Sequence, residues 1–249
     1  MVTNPVDLSV SIVSWNTRDL LEACLKSVYD SSSGIDVEVV VVDNNSSDDS
    51  VAMVRSKYPD AKLIINDGNV GFAAANNQAY EASSGRHFML LNPDTICLRD
   101  ALGSLVSFLD ERETVGAVGP LVLNADRTLQ YSWARFPTFL NECLGRLDRR
   151  LPCAKAVPAT ADEVRSLGPF QADWIGGCAL MIRRQAVERI GLMDDSLFMY
   201  CEETDWCLRL KRAGWSIMVD PEAEIVHLGG QSSVQVSAKA AGYLRASKA

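Results

Sequence analysis

Residues 37–45, "VEVVVVDNN", decide how the rest of the chain is read. Val37 and the four consecutive valines 39–42 make a nearly continuous β-branched run. Such a run suits a strand covered on both faces, as in a parallel sheet, better than a strand with one wet face. It stops at Asp43, with Asn44 and Asn45 directly behind.

The same grammar repeats on either side. "LSVSIVSWN", residues 8–16, is a strand ending at Ser14-Trp15-Asn16, and "TRDLLEACLKSV" then places Leu21, Cys24, Leu25 and Val28 at helical spacing. After Asn45, Ser47-Asp48-Asp49 opens a helix that ends before Pro59, with acids in the first turn where the dipole favours them. "AKLIIN" (61–66) is a third strand; "DGNVGFAAANNQAYEASSG" (67–85) gives a glycine turn and a helix closed by Gly85. "HFMLLNPD" (87–94) is a fourth strand. Alternating strands and helices imply a parallel, right-handed sheet, and ligands of such sheets gather beyond the carboxyl ends of the strands. Ser14 and Asn16, Asp43, and Asn92 and Asp94 are therefore expected on one rim. A single aspartate after a strand is ordinarily a turn or cap residue. Several polar clusters on one rim point to a site.

The second half is less regular. Residues 99–110 read as an amphipathic helix and "VGAVGPLVL" (115–123) as a strand. Residues 131–170, with four prolines, read as a mobile or substrate-covering insertion with a helix near 138–149. "DWIGGCALMIRR" (173–184) reads as a strand bent at Gly176-Gly177, followed by a helix near 184–190 that ends at Gly191. "WSIMVD" and "AEIVHLGG" read as two further short strands, the second carrying His227 at its end. The densest chemical signal is "FMYCEETDWCLRLKRAGW" (198–215). Thr204 is a candidate cap, Asp205 and Arg209 are spaced for an i,i+4 ion pair, Trp206 and Leu210 share a face, and Gly214 is a stop. Glu202 and Glu203 then stand just before the helix, where the dipole favours the anion and each carboxylate opposes the other. A base that is ionised at neutral pH suits that position.

Composition narrows the function. The 249 residues are 47% hydrophobic and 22% charged, ordinary for a soluble globular protein. A net charge of -8 and a pI near 4.9 speak against nucleic acid, although a cation can still mediate binding of a phosphorylated small molecule. The seven cysteines are scattered without a CxxC and read as small buried hydrophobes in a reducing cytoplasm. With only His87 and His227 to help them, they make a poor zinc set. The N-terminus lacks a signal-peptide pattern, and no apolar run approaches the roughly 20 residues of a membrane span. The expected location is cytoplasmic, at most peripheral to the inner face of the cell membrane.

Taken in order, "VSIVSWN", "VVVDNNSSDDS", "NVGFAAANNQA", "LLNPDT", "WIGGCALMIRR", "YCEETDWCLRLKRAGW" and "HLGGQSS" resemble the inverting family 2 glycosyltransferases with the GT-A fold. Within them the pattern is similar to the bacterial rhamnosyltransferase-like members. The resemblance implies a Rossmann-like α/β architecture: a mostly parallel central sheet flanked by helices, with a less regular acceptor-side half. It implies one domain over 1–249, with residues 1–97 binding the nucleotide-sugar and 98–249 carrying acceptor binding and catalysis. Ser14 and Asp43 match the places that hold the nucleotide base, Asn16 and Asn45 those that support it, and Asn69, Gly71, Phe72 and Asn77 the loop that closes near nucleotide and sugar. Asn92-Pro93-Asp94 stands where the family has its metal-binding DxD, Asn92 replacing the first aspartate. Asp94, with His227, would bind Mg²⁺ or Mn²⁺. Glu202-Glu203 matches the pair whose second acid is the catalytic base. Glu203 replaces an aspartate, so which glutamate acts is open.

The implied donor is a dTDP- or UDP-sugar, dTDP-L-rhamnose first, and the acceptor a saccharide or polyprenyl-linked saccharide of cell-envelope polysaccharide synthesis. Leucines and arginines at helical spacing over 139–150 could form a membrane-surface helix or a packed one. Two alternatives compete. Nucleotidyl transfer would need a glycine-rich basic loop after the first strand, and "SWNTRDL" lacks it. A non-catalytic nucleotide-sugar-binding partner or sensor subunit is encouraged by Asn92.

Overall fold

The computed structural model describes residues 6–136, 158–197 and 201–229. β1 (Leu8–Ser14), β2 (Val37–Asp43), β3 (Lys62–Ile65) and β4 (His87–Leu91) pair in parallel in the order β3-β2-β1-β4. The valine run behaves as its composition demands. Val39 and Val41 enter one core with Leu21, Cys24, Leu25 and Val28 of α1 (Arg18–Asp30) and with Met53 and Val54 of α2 (Ser50–Lys57). Val40 and Val42 face the opposite core, against Ala73, Ala75 and Ala79 of α3 (Phe72–Glu81). All four valines are buried, so both faces contribute the roughly 1.5–3 kcal/mol expected per buried aliphatic side chain.

Beyond β4 the sheet changes direction. β10 (Ala179–Arg183) runs antiparallel to β4 and to β6 (Val115–Leu123), β11 (Ser216–His227) runs parallel to β6, and β5 (Thr95–Cys97) and β8 (Phe170–Ala172) run antiparallel to β11. α4 (Ala101–Asp110) covers β6 and β11. α5 (Ala161–Leu167) lies against β6 and β11, and α6 (Arg184–Ile190) continues from β10. A small separate ribbon pairs β7 (Trp133–Ala134) with β9 (Trp174–Ile175). α7 (Glu202–Arg212) packs on β9 and β11 through Trp206, Cys207 and Leu210, and its Asp205–Arg209 pair closes at 2.8 Å.

Several local expectations are corrected. The two short strands at the end are one, β11, interrupted between Asp220 and Glu224 while Pro120 and Leu121 remain consecutive on β6. Pro221 lies in this bulge and cannot donate to the ladder, which is why the sequence reads as two pieces. α2 starts at Ser50, not at Ser47: Asp48 stays outside, accepting from Ser50 N at 3.0 Å. α3 ends at Glu81, capped by Ala82 and not by Gly85. Gly85 is instead pressed against β1, where any Cβ would fall within 3 Å of the Ser9 and Leu8 main chain. "DWIGGCALMIRR" is two strands, β9 and β10, divided at Gly176–Cys178. Within 131–170, α5 went unread although Thr160-Ala-Asp-Glu163 is a capping box: Thr160 accepts from Glu163 N at 3.2 Å and Glu163 from Ala159 N at 2.7 Å. The helices expected over 138–149 and 139–150 lie outside the described residues. Among the described residues, no helix is long and apolar enough to cross a membrane.

Candidate functional site

The mixed sheet has a consequence for chemistry. β1, β2, β4, β6 and β11 all end at one rim, and the oppositely directed β5 and β10 begin there. Residues just before a descending strand, Asp94 ahead of β5 and Gly177-Cys178 ahead of β10, therefore reach the same edge as residues that close an ascending one.

At one end of the rim Ser14 and Asp43 are opposite each other in register. Ser14 shares a 2.9 Å hydrogen bond with Thr17, and both are buried. Asp43 is 2% exposed; its Oδ2 accepts from Ser46 N at 2.8 Å, while its buried Oδ1 has no partner among the described residues. A carboxylate oxygen held dry and unpaired is costly, and such an orphan marks a place where a donor from outside completes the pairing. Asn16 adopts a left-handed φ of 53° and its side-chain oxygen accepts from Ser47 N at 2.7 Å, so it ties the two loops together. Asn45, φ 64°, is exposed at the tip of the second loop.

The next loop is assembled by asparagines. Asn69 Oδ1 accepts from Gly71 N (3.0 Å) and from Asn44 Nδ2 (3.3 Å), and Asn66 Nδ2 donates to Asn44 Oδ1 (2.9 Å). Gly71 turns the chain at φ 89°, a region that disfavours any Cβ, and so delivers Phe72 as the first residue of α3. Buried Asn44 is central to this loop and was not singled out in the sequence; the signal for it is its place directly behind the valine strand. Asn77 ties α3 to a later segment. Its amide donates to Met193 O (2.9 Å) and accepts from Met193 N (3.1 Å), clasping the loop after α6.

The middle of the rim gathers Asn92, Asp94 and His227. Asn92 N donates to Cys178 O at 2.9 Å, and Leu228 N to Asp94 O at 2.9 Å. His227 Nε2 stands 3.2 Å from Asp94 Oδ1 and 3.4 Å from Asn92 Nδ2. The other ring nitrogen, Nδ1, meets Gln130 Oε1 at 2.6 Å. A hard carboxylate oxygen and an imidazole nitrogen facing each other form a donor pair suited to a divalent cation. Among the described residues no third acid, histidine or cysteine joins them.

Glu202 and Glu203 complete the far side, with one correction. They are inside the first turn of α7, not before it; Cys201 takes the cap position with φ 76°, and Thr204 is helical. Three acids in that turn meet the free N–H groups and positive dipole end. Glu203 is half-buried beside Gly177: a Cβ at that glycine would sit 3.8 Å from Glu203 Cβ and 3.2 Å from the Phe72 ring. Burial raises the Glu203 carboxyl above its ordinary value. Cys178 links this acid to the middle cluster. Burial pushes its thiol up to about 12, and both Asp94 and Glu203 add to the shift. Glu202 is deeper, 4% exposed, with Oε2 unpartnered among the described residues. Burial and then the neighbouring Glu203 lift its carboxyl to about 7. A separate cleft of about 500 Å³ opens between Asn16–Leu20 and Ser47–Asp49. Three aspartates against one arginine line it, a poor lining for a diphosphate, and Asp43, Asp94 and Glu203 are all absent from its walls.

Known proteins share this arrangement of elements. The structure is similar to "GalNAc-T7 with UDP, GalNAc and Mn²⁺" at a TM-score of 0.66 and 17% identity, covering 90% of this chain and 44% of that one. The mannosyltransferase PcManGT from Pyrobaculum calidifontis, in complex with GDP-Man and Mn²⁺, follows at 0.61 and 20%, covering 91% and 59%. The fold is that of the GT-A glycosyltransferases. In sequence, the chain is 27% identical over 208 residues to an N-acetylglucosaminyl-diphospho-decaprenol L-rhamnosyltransferase of Mycobacterium tuberculosis, covering 77% of this chain and 66% of the relative, just under two thirds. It is 25% identical over 231 residues to the rhamnosyltransferase WbbL of Escherichia coli, covering 88% and 82%. The model of one family, "Glycosyl transferase family 2", matches residues 9–191, the stretch that runs from the first strand of the rim to the end of α6. With most of its length inside that match, the chain belongs to glycosyl transferase family 2.

Proposed function

We propose that this chain transfers a sugar, L-rhamnose first among the candidates, from a dTDP- or UDP-sugar to a hydroxyl of a saccharide or polyprenyl-linked saccharide in cell-envelope glycan synthesis, with inversion at the anomeric carbon. The observation that carries the reading is the single rim on which Asp43, the Asn92–Asp94–His227 cluster and Glu203 meet. The donor class is supported by Asp43 Oδ1, a buried acceptor ready for the imide N–H of uracil or thymine. Trp15, half-buried directly after Ser14, offers a ring for the base to stack on. The relatives named as rhamnosyltransferases support the sugar.

Asp94 and His227 would hold Mg²⁺ or Mn²⁺, which would supply positive charge to offset that of the leaving diphosphate. Glu203 takes the proton of the acceptor hydroxyl; that oxygen bonds to the anomeric carbon as the bond from carbon to the nucleoside diphosphate breaks. The raised Glu203 carboxyl makes it the stronger base once ionised. Glu202 lies beside Glu203 in the first turn, and the charge of Glu203 opposes ionisation of Glu202. Exposed Tyr131, tilted 59° on Trp133 at 5.9 Å, offers an aromatic ledge on which an acceptor sugar would pack. A lipid-linked acceptor would bring the chain to the inner face of the membrane.

The test is turnover with dTDP-L-rhamnose and UDP-sugars, Mg²⁺ or Mn²⁺, and a polyprenyl-diphosphate N-acetylglucosamine acceptor, with the anomeric configuration of the product read by NMR. An α product from a β-linked donor, or the reverse, supports the reading. Tight nucleotide-sugar binding with neither transfer nor hydrolysis across a broad acceptor panel would replace it with the sensor.

A further inference from the structure

We propose that Gln130 is the positioning residue of the cation site: it locks His227 as the tautomer with hydrogen on Nδ1, so that the lone pair of Nε2 faces Asp94. The inference rests on the reading of Asp94 and His227 as cation ligands given above. It is carried by a chain of hydrogen bonds whose directions are fixed from its ends. Main-chain carbonyls can only accept. Leu129 O therefore requires the nitrogen of the Asn124 amide, and Asn124 Nδ2 lies 3.2 Å from it, with Thr128 Oγ1 at 2.9 Å. That leaves Asn124 Oδ1 as an acceptor, and Gln130 Nε2 reaches it at 2.8 Å. The same Gln130 nitrogen stands 3.3 Å from the His227 carbonyl, a second group that only accepts. Flipping the Gln130 amide would set its oxygen against two acceptors, so Oε1 must point to the imidazole, 2.6 Å from Nδ1. An acceptor at that distance requires a hydrogen on Nδ1. In the neutral ring Nε2 is then bare, and Asn92 Nδ2 approaches it as a donor at 3.4 Å.

The outcome is two electron-pair donors, Nε2 and Asp94 Oδ1, facing each other at 3.2 Å. A positive species, a proton or a divalent cation, would reconcile them. A group that fixes tautomer and ring orientation behind a ligand histidine is worth roughly 10–100-fold in metal affinity. Gln130 is on neither a helix nor a long strand; Gln130 N donates to Val122 O at 3.0 Å, which anchors it beside the end of β6. Nothing in the resemblance assigned it a role.

The chain has two histidines, His87 and His227, so ring-¹⁵N labelling gives two imidazole systems, separated by the His227→Gln variant. The two neutral tautomers and the imidazolium give distinct ¹⁵N shift patterns, so the hydrogen on each ring nitrogen is read directly. The expected wild-type spectrum has His227 protonated on Nδ1. Gln130→Leu is expected to populate the Nε2–H form and to weaken Mg²⁺ binding, measured calorimetrically with dTDP or UDP present, by roughly 10–100-fold. Nucleotide affinity without the cation is expected to stay the same. A wild-type His227 carrying its hydrogen on Nε2 overturns the inference without any variant, as does a Gln130→Leu protein with unchanged tautomer and cation affinity. A tautomer that switches as expected in a protein that never takes a divalent cation overturns the cation reading itself and leaves the lock on His227 standing.

Discussion

The two flanks of the sheet reach the same rim by opposite routes. On the β3-β2-β1-β4 flank every strand runs one way, and Ser14, Asp43 and Asn92 are what the chain says as it leaves a strand. On the β10-β6-β11-β5 flank the directions are mixed, and groups proposed for the chemistry sit ahead of strands or at a helix start as well as at a strand end: Asp94 before β5, Gly177 before β10, Glu203 in the first turn of α7, His227 closing β11. The first flank is a rigid wall with side chains at fixed intervals, suited to gripping a nucleotide. The second lets segments far apart in the chain converge, as His227 and Asp94 do across 133 residues, numbering 227 less 94. Binding groups and reacting groups are thereby separated along one edge, and substitutions on the two flanks should differ in kind.

The largest expected effect is on the second flank. Glu203→Gln should lower kcat by at least roughly 10²–10⁴-fold, the usual worth of a general base, with donor affinity by calorimetry unchanged. Near-wild-type turnover would move the role to Glu202 or remove it from this helix. On the first flank, Asp43→Asn turns a donor toward the place where the base N–H should bind. The expected result is a donor KM about 10–100-fold higher with kcat little altered, the signature of lost uniform binding. A fall in kcat with unchanged KM would break the division between the flanks.

Glu202 gives a test in stability. Its carboxyl is lifted from 4.5 to about 7 by burial and by Glu203, so the folded state holds a proton that the unfolded chain releases. Its contribution is therefore intact below about 4.5, falls as pH rises toward 7, and stays low above it. Glu202→Gln should match the wild type near the acid end and exceed it by about 1–3 kcal/mol at alkaline pH, measured by urea unfolding. Equal stability at both ends would mean that the carboxylate finds a partner. The smallest effect is expected where the flanks touch. Gly177→Ala puts a methyl 3.2 Å from Phe72, tighter than ordinary contact, and a loss of about 1 kcal/mol, roughly fivefold in kcat/KM, should follow. A full-strength Gly177→Ala enzyme would show that Phe72 and Glu203 need not approach so closely.

The sequence by itself determined the first flank and the candidate residues. A valine run bounded by polar turns has one favourable solution, burial on both faces, and local spacing was enough to place α1 against β1 and β2. It also marked Asp94, His227 and the glutamate pair, although it set the glutamates one turn too early because Thr204 looked like a cap. Tertiary structure alone decided the rest. Strand direction on the second flank depends on pairing partners distant in the chain, and no local pattern encodes them; β11 was divided in two by a proline that the folded sheet absorbs in a bulge. Asn77 is paired with Met193 and Gln130 with His227 through hydrogen bonds spanning about a hundred residues in each case. A donor or acceptor buried in a fold takes the partner that space provides, and space is fixed only when the whole sheet has formed.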